Sequence, residues 1–510
     1  MKTMQFMLNT SIIIALTLSA AAQESSAQHS PAQEHAARYH HYKFIDLGTL
    51  GGPHSYGSPN GAGSRLINNA GVVAASADTP AQDPLAPVCF VPDCQVAHAF
   101  LWRHGVMSDL GGVDDKYSSA VGSMNDLGWS TGQSETGEID PAFNFPLFHT
   151  VLWKGRKMVD IGTLPGGNTS IGISVNNAGQ VVGFGNNDVP DPFAFFPTST
   201  QMRTFLWQDG EVQDIGTLGG PDSAPGPGCD NQRPGVIVGG SYISFTPNAL
   251  GVPTIHPFLW DNGTMTDLGS LGGLHAEARC INNRGQVIGF STLPGEQANH
   301  AFFWQNGQIH DLGTLGGSLS EAWWINDSGE IAGSADLPTH GLHDAVIWKH
   351  GRIHDLGTLP GDPCSRAYGL NARGQVVGTS TDCVNTLHAF VWQDGGPMMD
   401  LNALIQPGTG YQLTNAIDIN DRGEIIARAA PLGFTPDDDA DLGHLALLIP
   451  CDDRHSGHDD CDYSEANPDT VAARVTAAPS TAIRNSGNED RMALGPAHKF
   501  SLQRWAHRTD

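Results

Sequence analysis

The stretch that decides the fold is residues 277–312, EARCINNRGQVIGFSTLPGEQANHAFFWQNGQIHDL. It holds four short apolar and aromatic runs that we interpret as strands: Glu277 to Ile281, Gln286 to Ser291, His300 to Trp304 and Ile309 to Leu312. The turns INNRGQ and WQNGQ place Asn and Gly where a tight hairpin needs positive φ, which costs these residues little. The stretch therefore predicts two β-hairpins that form one four-stranded antiparallel unit.

The same unit recurs along the chain, and its clearest marker is the tryptophan that ends the third strand. Seven of the 11 tryptophans are separated by 51, 54, 53, 44, 44 and 44 residues: Trp102, Trp153, Trp207, Trp260, Trp304, Trp348 and Trp392. The aspartate of a DLG element keeps step with them at Asp46, Asp109, Asp160, Asp214, Asp267, Asp311, Asp355 and Asp400. Four strands in each unit of this length, repeated along the chain, are typical of β-propeller blades rather than of a helical solenoid.

The two ends of the repeat region predict a closed ring. A lone fourth strand, Tyr42 to Leu47, begins the region, and a lone third strand, His444 to Pro450, ends it. Pairing of these strands completes the last blade and removes the sheet edge that an open array would expose. We therefore predict an all-β fold, a closed β-propeller of eight four-stranded blades over residues 42–450, whose last blade is closed by the N-terminal strand.

The N-terminal residues indicate an exported protein, and the net charge argues against two classes of partner. The 26 Lys and Arg against 53 Asp and Glu give a net charge of −27, which argues against a nucleic-acid or anionic-membrane partner. Residues 1–22 predict a signal peptide, whose apolar stretch is shorter than a membrane span of about 20 residues. Residues 23–41 are expected to be a flexible linker, and residues 451–510 an acidic and then disordered tail. We expect a monomer without a membrane span, in an extracellular or periplasmic location.

The eight cysteines all follow the predicted signal peptide, and an even number suits an oxidising compartment. Local spacing favours three pairs and leaves a fourth: Cys89 with Cys94, Cys364 with Cys383, Cys451 with Cys461, and Cys229 with Cys280. Zinc binding is the competing interpretation, but the chain has no Cys-x-x-Cys motif. We therefore predict disulfides, and neither a metal nor another cofactor.

The segments HAFLW (98–102), HPFLW (256–260) and HAFFW (300–304), with DLGTLGG and INNRGQVIG, resemble the HAF-type extracellular repeat family over roughly four fifths of the chain. The resemblance implies a secreted repeat protein. It transfers no catalytic residue, because the family has no established reaction. The sequence departs from the pattern at Arg203 and Asp344, which replace the usual His, in the turn after Cys229, and at Leu448, which replaces Trp. Because of these departures, we expect blades four and eight to be less regular than the others.

One half of one face is expected to carry long connections. Extra residues follow the second strand of the first four units, at Ser76 to Ala97, Glu135 to Phe148, Asn186 to Met202 and Ser244 to Ile255. Long connections on a rigid scaffold often bind ligands. The candidate ligand-binding residues are the aromatic and acidic residues there: Phe143, Phe145, Phe193, Phe195, Phe196, Tyr242, Phe245, Glu138, Asp140, Asp188 and Asp191. The alternative is that the insertions bury these rings against each other and the propeller rim.

The function that we expect is non-enzymatic binding of a protein or polysaccharide through this loop-rich face. A carbohydrate-active hydrolase or lyase that uses the loop carboxylates remains open, as does a purely structural surface protein. The repeated histidines that begin the third strands do not indicate catalysis, because a feature of every blade is expected to be structural. We expect each of them to bind the Asp of its own blade: His98, His149, His256, His300, His388 and His444.

Overall fold

The computed structural model describes residues 39–59, 63–91, 93–141, 143–195, 199–229, 232–384, 386–433, 443–452, 461 and 465–466. These residues form eight four-stranded antiparallel sheets in a ring, and the predicted eight-bladed, all-β propeller is confirmed. The predicted signal peptide lies outside the described residues.

The strands follow one another blade by blade. The first two strands are β1 (Tyr39–His40) and β2 (Tyr42–Asp46). Blades one and two contain β3 (Ser55–Tyr56), β4 (Val73–Gln82), β5 (Gln95–Arg103), β6 (Val106–Asp109), β7 (Ser119–Met124), β8 (Trp129–Ile139), β9 (Pro146–Lys154) and β10 (Lys157–Gly162). Blades three and four contain β11 (Ser170–Val175), β12 (Val181–Pro190), β13 (Thr200–Gln208), β14 (Glu211–Asp214), β15 (Ser223–Pro225), β16 (Val236–Pro247), β17 (Pro253–Asp261) and β18 (Thr264–Asp267).

The second half of the ring is built in the same way. Blades five and six contain β19 (Ala276–Ile281), β20 (Val287–Thr292), β21 (Asn299–Gln305), β22 (Gln308–Asp311), β23 (Ser320–Ile325), β24 (Ile331–Asp336), β25 (His343–Lys349) and β26 (Arg352–Asp355). Blade seven contains β27 (Cys364–Leu370), β28 (Val376–Thr381), β29 (Thr386–Trp392) and β30 (Met399–Asp400), followed by the helix α1 (Leu401–Leu404). Blade eight contains β31 (Tyr411–Ile419), β32 (Ile425–Pro431), β33 (His444–Pro450) and β2, and a last strand, β34 (Glu465–Ala466), pairs with β1.

The N-terminal strand closes the ring as predicted. β2 lies antiparallel to β33, with Tyr42 opposite Pro450 and Asp46 opposite Ala446. Blade eight is therefore a complete four-stranded sheet, and Leu448, at the usual tryptophan position, is fully buried. Blade four also keeps four strands, although its first strand, β15, has only three residues.

The core consists of apolar layers between adjacent blades. The cluster around Trp102 contains Phe100 of blade one together with Ile426 and Leu447 of blade eight. Trp153 and Trp348 are at most 1% exposed. Burial of such large rings removes a large apolar area from water and stabilises the packing of adjacent blades.

All four predicted disulfides are present, with Cα–Cα distances of 5.1 to 5.3 Å: Cys89–Cys94, Cys229–Cys280, Cys364–Cys383 and Cys451–Cys461. Cys229–Cys280 joins blade four to blade five beside a parallel bridge between Gly228 and Cys280. Four disulfides are typical of a protein in an oxidising environment. In the part of the chain that the structure describes, no helix is long and apolar enough to cross a membrane.

Candidate functional site

The extra residues of blades one to four form projecting β-ribbons. The second strands β4, β8, β12 and β16 have 10, 11, 10 and 12 residues, whereas those of blades five to eight have 6, 6, 6 and 7. In each long pair the register shifts between the blade and its outer part, for example between Asp78 and Gln82. Such bulges bend a ribbon and increase its twist. Half of this face therefore carries four ordered projections, which we call the ribbons.

The ribbons of blades two to four expose apolar side chains. Half of the 12 large apolar side chains that are exposed in the described residues lie there: Ile139 (36%), Phe143 (36%), Val189 (44%), Phe245 (60%), Leu250 (56%) and Val252 (40%). The candidate carboxylates Glu138 and Asp188 are exposed beside them. Exposed apolar residues gathered on one face are typical of an interaction surface.

Other candidate residues lie at the base of the ribbons and are structural. The ring centroids of Phe195 and Tyr242 are 4.5 Å apart, and Tyr242 is buried. The Tyr242 hydroxyl donates a hydrogen bond to the Phe193 carbonyl oxygen, 3.0 Å away. These three residues thus hold the ribbon of blade three against blade four. This arrangement fits the alternative in which the insertions bury their aromatic rings against each other and the propeller rim. Phe145 is partly buried, and Phe196 lies outside the described residues.

The two remaining candidate carboxylates order the ribbon turns. Asp140 is buried, accepts a hydrogen bond from the backbone N–H of Phe143 at 3.0 Å, and donates its own N–H to the Phe145 carbonyl at 2.9 Å. Asp191 is also buried and accepts from the N–H of Phe193 at 3.0 Å. These bonds are Asx-type turns, which stabilise loops locally.

Asp222, which sequence reasoning missed, fastens the ribbon of blade three. Its fully buried carboxyl group accepts hydrogen bonds from the N–H groups of Phe195 and Met202, at 2.7 and 2.9 Å. Burial raises the pKa of Asp222 to about 8, in spite of these two bonds, and the negative charge of Asp191 raises it further. The raised pKa of Asp222 favours its protonated form, which carries no buried charge at the base of the ribbon.

A second buried carboxyl group lies in blade one. Asp78 accepts hydrogen bonds from the Tyr56 hydroxyl and the His54 N–H, both at 3.0 Å. Burial, followed by the charge of Asp93, raises the pKa of Asp78 to about 7. The His54 Nε2 atom lies 4.0 Å from a carboxylate oxygen of Asp93. Up to 39 positions separate these residues along the chain, so no local sequence pattern predicts the cluster.

Blade two carries a third buried carboxyl group, that of Glu135. It is fully buried and accepts a hydrogen bond from the Ser118 N–H at 2.8 Å. Burial raises its pKa to about 8, and the charge of Asp83 acts in the same direction. Buried carboxyl groups with raised pKa values thus lie under the ribbons of blades one, two and three.

The repeated histidines confirm the expected pairing in five blades. The Nδ1 atoms lie 2.9 to 3.1 Å from the predicted carboxylates in His98–Asp109, His149–Asp160, His256–Asp267, His300–Asp311 and His444–Asp46. Each of these Asp residues also accepts the N–H of a glycine two residues later, as Asp311 does from Gly313 at 2.7 Å. The pair therefore orients the connection between blades.

The expected pairing is wrong for His388, which binds Asp362 at 2.8 Å. Asp400 instead accepts the N–H of Asn402 at 2.8 Å and caps the helix α1. Asn402 stands where the other blades have a glycine with positive φ, such as Gly313 at 71°. With Asn402 in place of that glycine, the chain continues into a helix, and Asp400 serves as its N-cap.

No family model and no curated relative matches the chain. Among solved structures, the β-propeller domain of the Trilobed protease from Pyrococcus furiosus has 9% identity and a TM-score of 0.37, over 71% of this chain and 98% of that chain. A puromycin-hydrolysing peptidase of Mycobacterium tuberculosis has 13% identity and a TM-score of 0.37, over 79% and 63%. A polysaccharide lyase of family PL25, an ulvan lyase, has 8% identity and a TM-score of 0.33, over 81% and 95%. This chain is an eight-bladed β-propeller with four disulfides.

Proposed function

We propose that this chain is a secreted, non-enzymatic β-propeller of HAF-type repeats that binds a protein or polysaccharide through the ribbons of blades one to four. The observation that carries the proposal is the set of exposed apolar side chains on these ribbons. Burial of each such side chain against a partner is favourable by roughly 25 cal/mol per Å² of apolar area. The ordered ribbons lose little conformational entropy on binding, which favours affinity.

Two further features support secretion. The disulfides suit an oxidising compartment, and residues 1–22 have the composition of a signal peptide. Secretion would bring the ribbons into contact with extracellular polymers and surface proteins.

The test compares two sets of substitutions in the full, oxidised chain. The ribbon variant carries Phe245→Ser, Leu250→Ser and Val252→Ser, and the control carries Val384→Ser and Leu432→Ser. The control residues are at least as exposed, at 69% and 68%, but lie after the second strands of blades seven and eight, outside the ribbons. Binding to a glycan array, to insoluble polysaccharides and to extracellular proteins would be measured, together with release of reducing sugar.

We expect the ribbon variant to lose at least tenfold in affinity for the ligand found, while the control stays within twofold. Equal affinity of wild type, ribbon variant and control would contradict the proposal.

A carbohydrate-active enzyme is the second candidate, and the cluster around Asp78 favours it. Two neighbouring carboxyl groups, of which one has a raised pKa, are the kind of pair that hydrolyses glycosidic bonds. The side chain of Asp93 is 20% exposed and reaches solvent, whereas Asp78 is fully buried and would hold Asp93 in place. Release of reducing sugar that is lost in Asp93→Asn, and kept in Asp188→Asn, would replace the binding function by this one.

A further inference from the structure

A cavity of about 450 Å³ lies on the other face, where the tight hairpins of blades one and two meet. Its lining includes three cations, Arg103, Lys154 and Arg156, together with Val106 and Leu127. The volume is in the range of pockets that hold small ligands. The cavity is on the face opposite the ribbons and is independent of the function proposed for them. We call it the basic groove.

The cations of the basic groove form no ion pair within the part of the chain that the structure describes. Among the described residues, no carboxylate lies within 4.0 Å of the charged atoms of Arg103, Lys154 or Arg156. Asp126, the nearest acidic neighbour of Leu127 in sequence, pairs with Arg65 at 2.7 Å. Three cations around one cavity, none with a carboxylate partner among the described residues, are notable in a chain with twice as many acidic as basic residues.

The repeat explains why Lys154 lacks a carboxylate. Blade six has the equivalent lysine, Lys349, whose Nζ atom lies 3.1 Å from the carboxylate of Glu330. Glu330 follows the turn asparagine Asn326 by four residues, and blade two has Trp129 at that position. Lys154 Nζ instead lies 4.3 Å from the centroid of the Trp129 ring. The ring positions the ammonium group by a cation–π contact and leaves its charge available.

The Trp129 ring lines the cavity but is partly buried, so it offers little surface as a platform for a ligand. Lys154 lies over one face, and the ring packs so closely against Gly179 that a Cβ there would be 2.9 Å from it. The surfaces left for a ligand are the three cations and the side chains of Val106 and Leu127, which are 61% and 53% exposed. A matching ligand has anionic groups next to apolar carbon atoms.

We propose that the basic groove binds an anionic saccharide that carries carboxylate or sulfate groups. Guanidinium groups match the geometry of these oxyanions and bind them with two hydrogen bonds each, as Arg103 and Arg156 can. The apolar faces of sugar rings, which carry C–H groups beside the anionic substituents, would contact Val106 and Leu127. The net charge of −27 repels long polyanions, and the groove gathers three cations at one place on this acidic chain.

The test measures binding of defined probes to the full, oxidised chain by calorimetry. The probes are a galacturonate trimer, a sulfated heparin-derived hexasaccharide, neutral maltotriose and hexa-aspartate. The variants are Lys154→Gln, Trp129→Glu and the control Lys157→Gln. Trp129→Glu supplies the carboxylate that Glu330 provides in blade six. Lys157 is exposed in the same hairpin as Lys154 but lies outside the cavity lining. Each variant changes the net charge by the same amount.

We expect at least one anionic saccharide to bind and maltotriose not to bind. Lys154→Gln and Trp129→Glu should each weaken binding about tenfold or more, because each removes one charge-assisted contact. Lys157→Gln should change the affinity less than twofold, and the melting temperature of each variant shows that it is folded. Because the two variants reach the same loss by different changes, a folding defect in one of them leaves the other as the test.

Three outcomes would overturn the proposal: no binding of either anionic saccharide, binding of hexa-aspartate alone, or an equal loss in Lys157→Gln. The first two would exclude this ligand class, and the third would indicate an unspecific effect of charge. The ribbon variant of blade four should bind the anionic saccharide like wild type, so that failure of the proposed function and failure of this proposal are distinguishable.

Discussion

The side-chain amide of Asn420 donates a hydrogen bond to the backbone carbonyl oxygen of Asn68, 2.9 Å away, and joins the last blade to the first. The same bond links earlier neighbours at 2.9 to 3.1 Å: Asn125 to Asn176, Asn282 to Asn326, Asn326 to Asn371 and Asn371 to Asn420. In the irregular turn of blade four, Gln232 accepts from the Asn177 N–H and donates its own N–H to Asn283. A ring of polar bonds thus closes the hairpin face.

Substitution of Asn420 should weaken this closure. Asn420 is buried, and its Oδ1 atom also accepts the N–H groups of Arg422 and Glu424, both at 3.0 Å. We expect Asn420→Ala to lower the free energy of unfolding by about 2–4 kcal/mol, because it removes several buried hydrogen bonds. Guanidinium unfolding without reductant measures the change. Asn69→Ala, which affects exposed bonds to Asp421 at the same junction, should cost less than about 1 kcal/mol.

The carboxyl pair of blade six should make stability depend on pH. Asp344 replaces the repeated histidine and faces Asp355. Burial, and then the charge of Asp355, raise the pKa of Asp344 to about 7. Folded Asp344 holds its proton more tightly than the unfolded chain does, so its contribution to stability is complete at about pH 4 and is lost as the pH rises through 7.

Asp344→Asn should therefore raise the free energy of unfolding at pH 8 by about 1–2 kcal/mol and should change it little at pH 4. The value at pH 8 allows for solvent screening of the interaction, because Asp355 is exposed. Asp311→Asn is the matched control. In blade five, Asp311 stands at the position of Asp355, and its partner at the position of Asp344 is His300 instead of a second carboxyl group. Loss of the Asp311 carboxylate should therefore destabilise the protein at pH 8. Stabilisation by both substitutions would contradict the assignment.

The disulfide between blades four and five should contribute more to stability than the one within the ribbon of blade one. Cys229 and Cys280 are 51 residues apart, whereas Cys89 and Cys94 are separated by 5. On the chain-entropy model, the longer loop contributes about 4 kcal/mol and the shorter about 2 kcal/mol. We expect the double serine variants to follow this order in unfolding experiments. The reverse order would show that loop closure does not dominate.

The regular features could be predicted from the sequence because they repeat. In blade five the predicted strand of Glu277 to Ile281 is observed as Ala276–Ile281, and that of His300 to Trp304 as Asn299–Gln305. Tight turns fix the spacing between such strands, and the repeat confirms each assignment several times over. The closure by Tyr42–Asp46 followed from counting strands at the two ends.

The residues specific to single blades could not be predicted in this way. Asp222 is joined to Phe195 across 27 residues, and Tyr56 to Asp78 across 22, by contacts that no local pattern encodes. The long connections were expected as loops, but backbone pairing extends them as ribbons. In the basic groove, Trp129 stands where most blades have Gln or Glu, a change that becomes meaningful only once Lys154 is seen beside it.

Asp222→Asn should release the ribbon of blade three. An amide has one oxygen and can replace only one of the acceptors for the Phe195 and Met202 N–H groups, so that a buried donor is left without a partner. We expect chymotrypsin to cleave after Phe193 or Phe195 several-fold faster than in wild type, relative to cleavage after the exposed Phe245. Asp188→Asn, at an exposed position of the same ribbon, should leave this ratio unchanged.

The same ratio should depend on pH in the wild type. Because burial raises the pKa of Asp222 to about 8, its stabilising contribution is complete at acidic pH and is lost as the pH rises through 8. Ionisation of Asp222 beside Asp191 then places two negative charges at the base of the ribbon. Cleavage at the ribbon, relative to cleavage after Phe245, should therefore increase between pH 7 and 9 in wild type and in Asp188→Asn. A constant ratio over this range would show that the Asp191–Asp222 pair does not hold the ribbon in place.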